Sequence, residues 1–203
     1  LKILAALNIK VVRTYNVHLA HASNVLIAIS ELKKEHPKFE MYVMLGAWID
    51  CKNAWTDLEP NHFEESERNE VEINEAVRLA SNYSDIVKII AVGNEAMVKW
   101  ATSYYVQPSV ILKWVNHLQQ LKKENKLAND LWITCSDDFA SWGGADASYK
   151  TQDLEELINA VDYVSMHTYP YHNSHYNPNF RNTPVEEQIL SDTEKIDKAM
   201  HRS

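Results

Sequence analysis

Val87-Lys88-Ile89-Ile90-Ala91-Val92-Gly93-Asn94-Glu95 is a mostly apolar, β-branched run that stops on a glycine, an amide and a carboxylate. Continuous apolar runs, as opposed to alternating ones, belong to parallel strands covered on both faces. Segments of the same kind stand on either side of it. Val11 to Tyr15 and Met41 to Trp48 precede it; Leu131 to Cys135 and Asp162 to His167 follow. Between them lie stretches with helical spacing: Asn24 to Lys34, Asn69 to Ala80, Pro108 to Lys123 and Leu154 to Ala160. Pro108 suits the first turn of its helix, where a missing N–H costs nothing. Thr183-Pro184 opens a last expected helix, with Glu186 and Glu187 in its first turn.

Strand and helix therefore alternate five times. That order implies an α/β domain with a parallel sheet, here a single domain over 1–203. It does not say whether the sheet is open, as in a flavodoxin-like doubly wound fold, or forms five consecutive units of an eight-unit barrel. Lys52 to Asn69 is a long, acidic, tryptophan-containing connection and is expected to be a functional loop. Leu1 to Leu7 reads as the end of a helix already under way, so the chain is expected to be part of a longer protein.

The 203 residues are 45% hydrophobic and 24% charged, ordinary for a globular domain. A formal net charge of −8 argues against a nucleic-acid partner, which needs a basic footprint. No apolar run is long enough to span a bilayer. Cys51 and Cys135 are too few for a disulfide framework and read as two free, partly buried thiols. Nine histidines raise the question of a metal. His18 with His21, and His172 with His175, are close in sequence but lack ligand spacing and matching carboxylates, so no metal and no cofactor is expected. No Gly-rich phosphate loop follows a strand, and no Gly-x-Ser-x-Gly elbow is present.

Parallel α/β folds place their sites at the C-terminal ends of the strands. All four glycines of the chain, Gly46, Gly93, Gly143 and Gly144, fall at or just beyond such ends. Glu95 ends the central run, where a carboxyl group can acquire a raised pKa and deliver a proton to a leaving oxygen. Asn94 beside it can bond a sugar hydroxyl. On spacing alone, the Asn-Glu pair could equally cap a helical turn. The other strand ends carry polar and aromatic groups too: Arg13 and Tyr15, Trp48 and Asp50, Asp138 and Trp142, then His167, Tyr169 and Tyr171. Rings that stack on pyranose faces and carboxylates that bond hydroxyls are what a sugar site requires.

Val12-Arg13-Thr14-Tyr15, Leu45-Gly46-Ala47-Trp48-Ile49, Ile90-Ala91-Val92-Gly93-Asn94-Glu95 and Val164-Ser165-Met166-His167-Thr168-Tyr169-Pro170-Tyr171 together resemble the successive strand motifs of glycoside hydrolase family 17. The resemblance implies a (β/α)₈ TIM barrel, incomplete here, carrying about barrel strands two to six with their helices. It implies a retaining glycosidase with Glu95 as acid/base and Asn94 on the sugar 2-hydroxyl. Tyr169 would orient the nucleophile. Arg13, Tyr15, Trp48, Asp138, Trp142, His167 and Tyr171 would line sugar subsites. The implied reaction is hydrolysis of β-1,3-linkages in a laminarin-like β-glucan, by a monomeric parent enzyme that is secreted, periplasmic or on the cell surface. Its alternatives are a β-1,3-glucanosyltransferase and a non-catalytic carbohydrate-binding barrel; an open-sheet ligand-binding domain stands further off. The family's nucleophilic glutamate ends strand seven, and no such strand follows Tyr171. The nucleophile is therefore expected beyond the C-terminus, and these 203 residues alone are expected to be inactive.

Overall fold

The computed structural model describes residues 1–144, 147–169 and 194. A short helix, α1 (Lys2–Ala6), leads into strand β1 (Val11–Arg13), helix α2 (Ala20–Glu35) and strand β2 (Tyr42–Ala47). Strands β3 (Cys51–Lys52) and β4 (Asn61–Glu65) come next, followed by helix α3 (Arg68–Asn82) and strand β5 (Val87–Asn94). Helix α4 (Pro108–Lys123), strand β6 (Trp132–Asp138), a 3₁₀ turn at Ala147–Tyr149, helix α5 (Gln152–Ala160) and strand β7 (Ser165–His167) complete the order. The helix expected from Thr183 and the expected subsite residue Tyr171 lie outside the described residues, apart from Glu194.

The main sheet runs β1-β2-β5-β6-β7, and every pairing in it is parallel. Each new strand is added on the same side of the last. A flavodoxin-like sheet must reverse its direction of growth at a switch point, so that alternative is excluded. The sheet curls into a half-barrel, as an incomplete (β/α) barrel does. Five consecutive residues of β2, Val43 to Ala47, are buried, and so are Ile133 to Asp137 of β6. Burial of successive residues, which point to opposite faces, means that both faces of the sheet are covered.

The helices form the covering layer. Ala22, Leu26 and Ile29 of α2 recur every three to four residues and are fully buried. Helix α3 packs on β2 and β5, and α4 on β5, β6 and α5. Pro108 does occupy the first turn of α4. Thr151 caps α5 by accepting from the Leu154 N–H.

The 52–69 segment differs from a plain loop. It contains the antiparallel pair β3–β4, which is stitched to the rest of the domain. Gln107 N donates to His62 O at 2.9 Å, and the Trp114 indole N–H donates to Glu65 Oε2 at 2.7 Å. Both cysteines are buried thiols; Cys51 opens β3 and Cys135 lies inside β6.

Candidate active site

The C-terminal ends of β1, β5 and β7 converge on one cleft. In the pairing of β5 with β6, Ala91 faces Thr134, but the next partners are Asn94 and Ser136. One extra residue is therefore bulged out of β5, and Gly93 takes it up at φ +84°. Glu95 itself has φ +47°, a left-handed conformation that costs a non-glycine residue of order 1 kcal/mol or more. Two contacts from β6 hold the turn in place. Glu95 N donates to Ser136 O at 2.9 Å, and Met97 N donates to Asp137 Oδ2 at 2.8 Å.

The Glu95 carboxylate sits among donors. Oε1 lies 2.8 Å from His167 Nδ1 and accepts from the Tyr169 hydroxyl at 3.2 Å. On the far side of the imidazole ring, Nε2 lies 2.7 Å from a terminal nitrogen of Arg13 and 2.9 Å from the Ser136 hydroxyl. A guanidinium can only donate, so Nε2 accepts and the ring proton on Nδ1 points at Glu95. The other terminal nitrogen of Arg13 donates to Asn94 Oδ1 at 2.6 Å, and the guanidinium lies over the Tyr15 ring. Arg13 Nε is buried and has no acceptor among the described residues.

This arrangement alters one expectation. The hydrogen bond from His167 pulls the Glu95 carboxyl below its ordinary value; burial opposes that pull, and the Tyr169 hydroxyl and the charge of Arg13 reinforce it. Among the described residues Glu95 is thus held ionised, not raised, because donors surround it and no second carboxylate touches it.

Other expected residues are placed unevenly. Tyr15 and Tyr169 stand exposed at the rim, and Trp48 is half-buried with its ring 5.4 Å from that of Tyr104. Asp138 ends β6 and accepts from the Ala140 N–H at 2.8 Å, so one of its oxygens holds the following turn. Trp142 requires a correction. It is completely buried, with its indole N–H 3.3 Å from Ser165 O, and leaves no ring face for a sugar. It is a core residue that plugs the space beneath β7. Tyr169 was expected beside a nucleophile; its described contact is with Glu95.

Sequence reasoning placed Ser136 and Asp137 at a strand end but gave them no role in the site, and passed over Tyr104 and Trp55. Asp137 is fully buried, and burial pushes its carboxyl up to about 7 against the pull of the Met97 and Asp138 N–H donors. Alternation along β6 could have separated it from Asp138, since neighbours on a strand face opposite ways. Tyr104 comes from the connection between β5 and α4, and no local pattern marks it. Burial raises its hydroxyl pKa, with the negative charges of Glu95 and Asp137 adding to the rise.

Fold and site define a parallel α/β half-barrel with a carboxylate, an amide, an arginine and a histidine joined by hydrogen bonds at its C-terminal rim. No family model and no curated protein matches the chain. Among solved structures, it is similar to the crystal structure of an endo-laminarinase from Formosa Hel1_33_131, with 57% identity and a TM-score of 0.90. The match covers 97% of this chain and 55% of that one, so the chain spans little more than half the length of the enzyme it resembles. Among the described residues no group of three or more metal-ligating side chains is clustered, and no helix is long and apolar enough to cross a membrane.

Proposed function

We propose that this chain is the greater part of the catalytic (β/α)₈ barrel of a family 17 glycoside hydrolase that cleaves β-1,3-glucan internally with retention. The observation that carries the reading is its 57% identity to an endo-laminarinase over nearly its whole length. The placement of Glu95 at the strand ends supports it.

Glu95 is the acid/base. It protonates the departing glycosidic oxygen while a glutamate outside the described residues attacks the anomeric carbon. Water then resolves the glycosyl-enzyme, and Glu95 takes its proton. Retention needs the two carboxyl groups about 5–5.5 Å apart. A carboxylate at that distance raises the pKa of Glu95, so that Glu95 keeps a proton from solvent and can donate it in the first step. The Nδ1–H of His167 and the Tyr169 hydroxyl stabilise the ionised form that acts in the second step. Arg13 fixes the imidazole and turns Asn94 toward the substrate. A polymeric substrate fits an enzyme that is secreted, periplasmic or on the cell surface.

The test is laminarin hydrolysis by the full-length protein and its Glu95→Gln variant. The variant should lose roughly 10²–10⁴-fold in kcat, the usual worth of a positioned acid/base. NMR of the first product should show the β-anomer. An initial α-anomer, or undiminished activity in the variant, refutes the reading.

A further inference from the structure

The 53–58 turn between β3 and β4 presents Trp55 with 56% of its surface exposed. Its backbone has φ +63°, and that of Asn53 has φ +64°. Asparagine tolerates this region, but for a tryptophan it is an outlier that the surroundings must enforce. Three contacts do so. The indole N–H donates to Asp50 Oδ2 at 3.2 Å, and Arg68 clamps the same oxygen at 2.9 Å while also donating to Ala54 O. One face of the indole stacks on Tyr104 at 5.2 Å and 22°. An exposed aromatic with its edge bonded, one face covered and its backbone strained is rigid before any ligand arrives.

The ring borders a cavity of about 520 Å³ that Trp48 also lines, within the size range of small-molecule sites. Its acidic floor is engaged except at Asp50 Oδ1, which is buried without a hydrogen-bond partner among the described residues. Glu72 accepts from the N–H groups of Val17, His18 and Trp48, and Asp50 is held by Arg68 and Trp55. What remains is two indole surfaces and a few polar edges, which suit a neutral ligand with one apolar face. One residue lies between this cavity and the Glu95 cleft. Tyr104 packs against both tryptophans and lies within the electrostatic reach of Glu95.

We infer that Trp55 is a preorganised stacking platform for a glucosyl unit of the same β-glucan chain, remote from the scission point and reached over Tyr104. This rests on the function proposed above and extends it: the β3–β4 insertion makes the enzyme favour long chains. A tryptophan locked in this way gives up little conformational entropy on binding.

The experiment is a length series from laminaritriose to laminariheptaose, with kcat/KM measured for the full-length wild type, Trp55→Ala and Trp55→Phe. Trp55→Ala should match the wild type on the shortest substrate and fall about tenfold on the longest, through KM. Trp55→Phe should recover most of that loss. An equal loss at every length, or none, overturns the platform. If the wild type cleaves none of the series, the proposed function fails. The platform is then judged by tryptophan-fluorescence titration with β-1,3-, β-1,4- and β-1,6-linked gluco-oligosaccharides. Binding that Trp55→Ala abolishes upholds it; equal binding by both proteins, or none by the wild type, overturns it.

Discussion

Replacing Asp137 by asparagine should change stability in opposite directions on the two sides of neutrality. The carboxyl is fully buried and its pKa stands at about 7, against an ordinary 3.8. A raised pKa means that the folded state binds the proton more tightly than the unfolded state. Folding is therefore favoured most below pH 3.8 and loses ground as pH rises toward 7, after which the loss is complete. At about 1.4 kcal/mol per pH unit, the loss is on the order of 4 kcal/mol. Asparagine carries no such penalty. It does turn an NH₂ group toward one of the two donors, Met97 N or Asp138 N, that the carboxyl now accepts from. That mismatch costs about 1–3 kcal/mol at any pH. The variant should thus be less stable than the wild type by about 1–3 kcal/mol at pH 4, and equal or more stable at pH 8. Urea unfolding of both full-length proteins at the two pH values measures the difference, and every other titrating group cancels between them. The same offset at both pH values would refute the reasoning, since it would mean that residue 137 does not titrate in this window. Met97 follows Glu95, the proposed acid/base, by two residues, so kcat should fall in the variant even where stability is recovered.

Further outcomes follow from the same geometry. Removing the Nδ1–H donor with His167→Phe lets the Glu95 carboxyl rise, because that hydrogen bond is the main cause of its lowering. The basic limb of the kcat/KM profile, which reports the acid's pKa in the free enzyme, should move to higher pH. An unmoved limb would show that the bond does not control Glu95. Gly46→Ala would place a Cβ 2.4 Å from Thr14 O and 2.8 Å from the Tyr15 backbone, where β1 presses against β2. Neither backbone can yield, so thermal unfolding should show a loss of more than about 2 kcal/mol. Residues 1–203 expressed alone should show no laminarin hydrolysis. They should also self-associate in size-exclusion chromatography, because among the described residues β1 and β7 are the edges of the main sheet. A monomeric, active product would contradict the barrel reading.

The sequence by itself determined the five strands of the main sheet and the helices between them, in order, but not the β3–β4 pair. Val87 to Val92 could hardly be anything but a buried strand, and the stripe that puts Leu26 and Ile29 on one face of α2 is a local property of 3.6-residue periodicity. It also singled out Glu95, because a carboxylate after such a strand stands where the strand direction puts it. Sheet order was beyond its reach, since alternation is the same for an open sheet and a barrel; only the sequence of parallel partners from β1 to β7 separates them. Burial was beyond it too. Trp142 looked like a sugar platform and is buried in the core, while Asp137, next to the acid that was chosen, is the one that pins the turn after Glu95. The physical reason is range. Periodicity and turn chemistry act over a few residues, whereas the link from Arg13 through His167 to Glu95, and the packing of Trp55 on Tyr104, join residues 49 to 154 positions apart that meet only once the chain has folded.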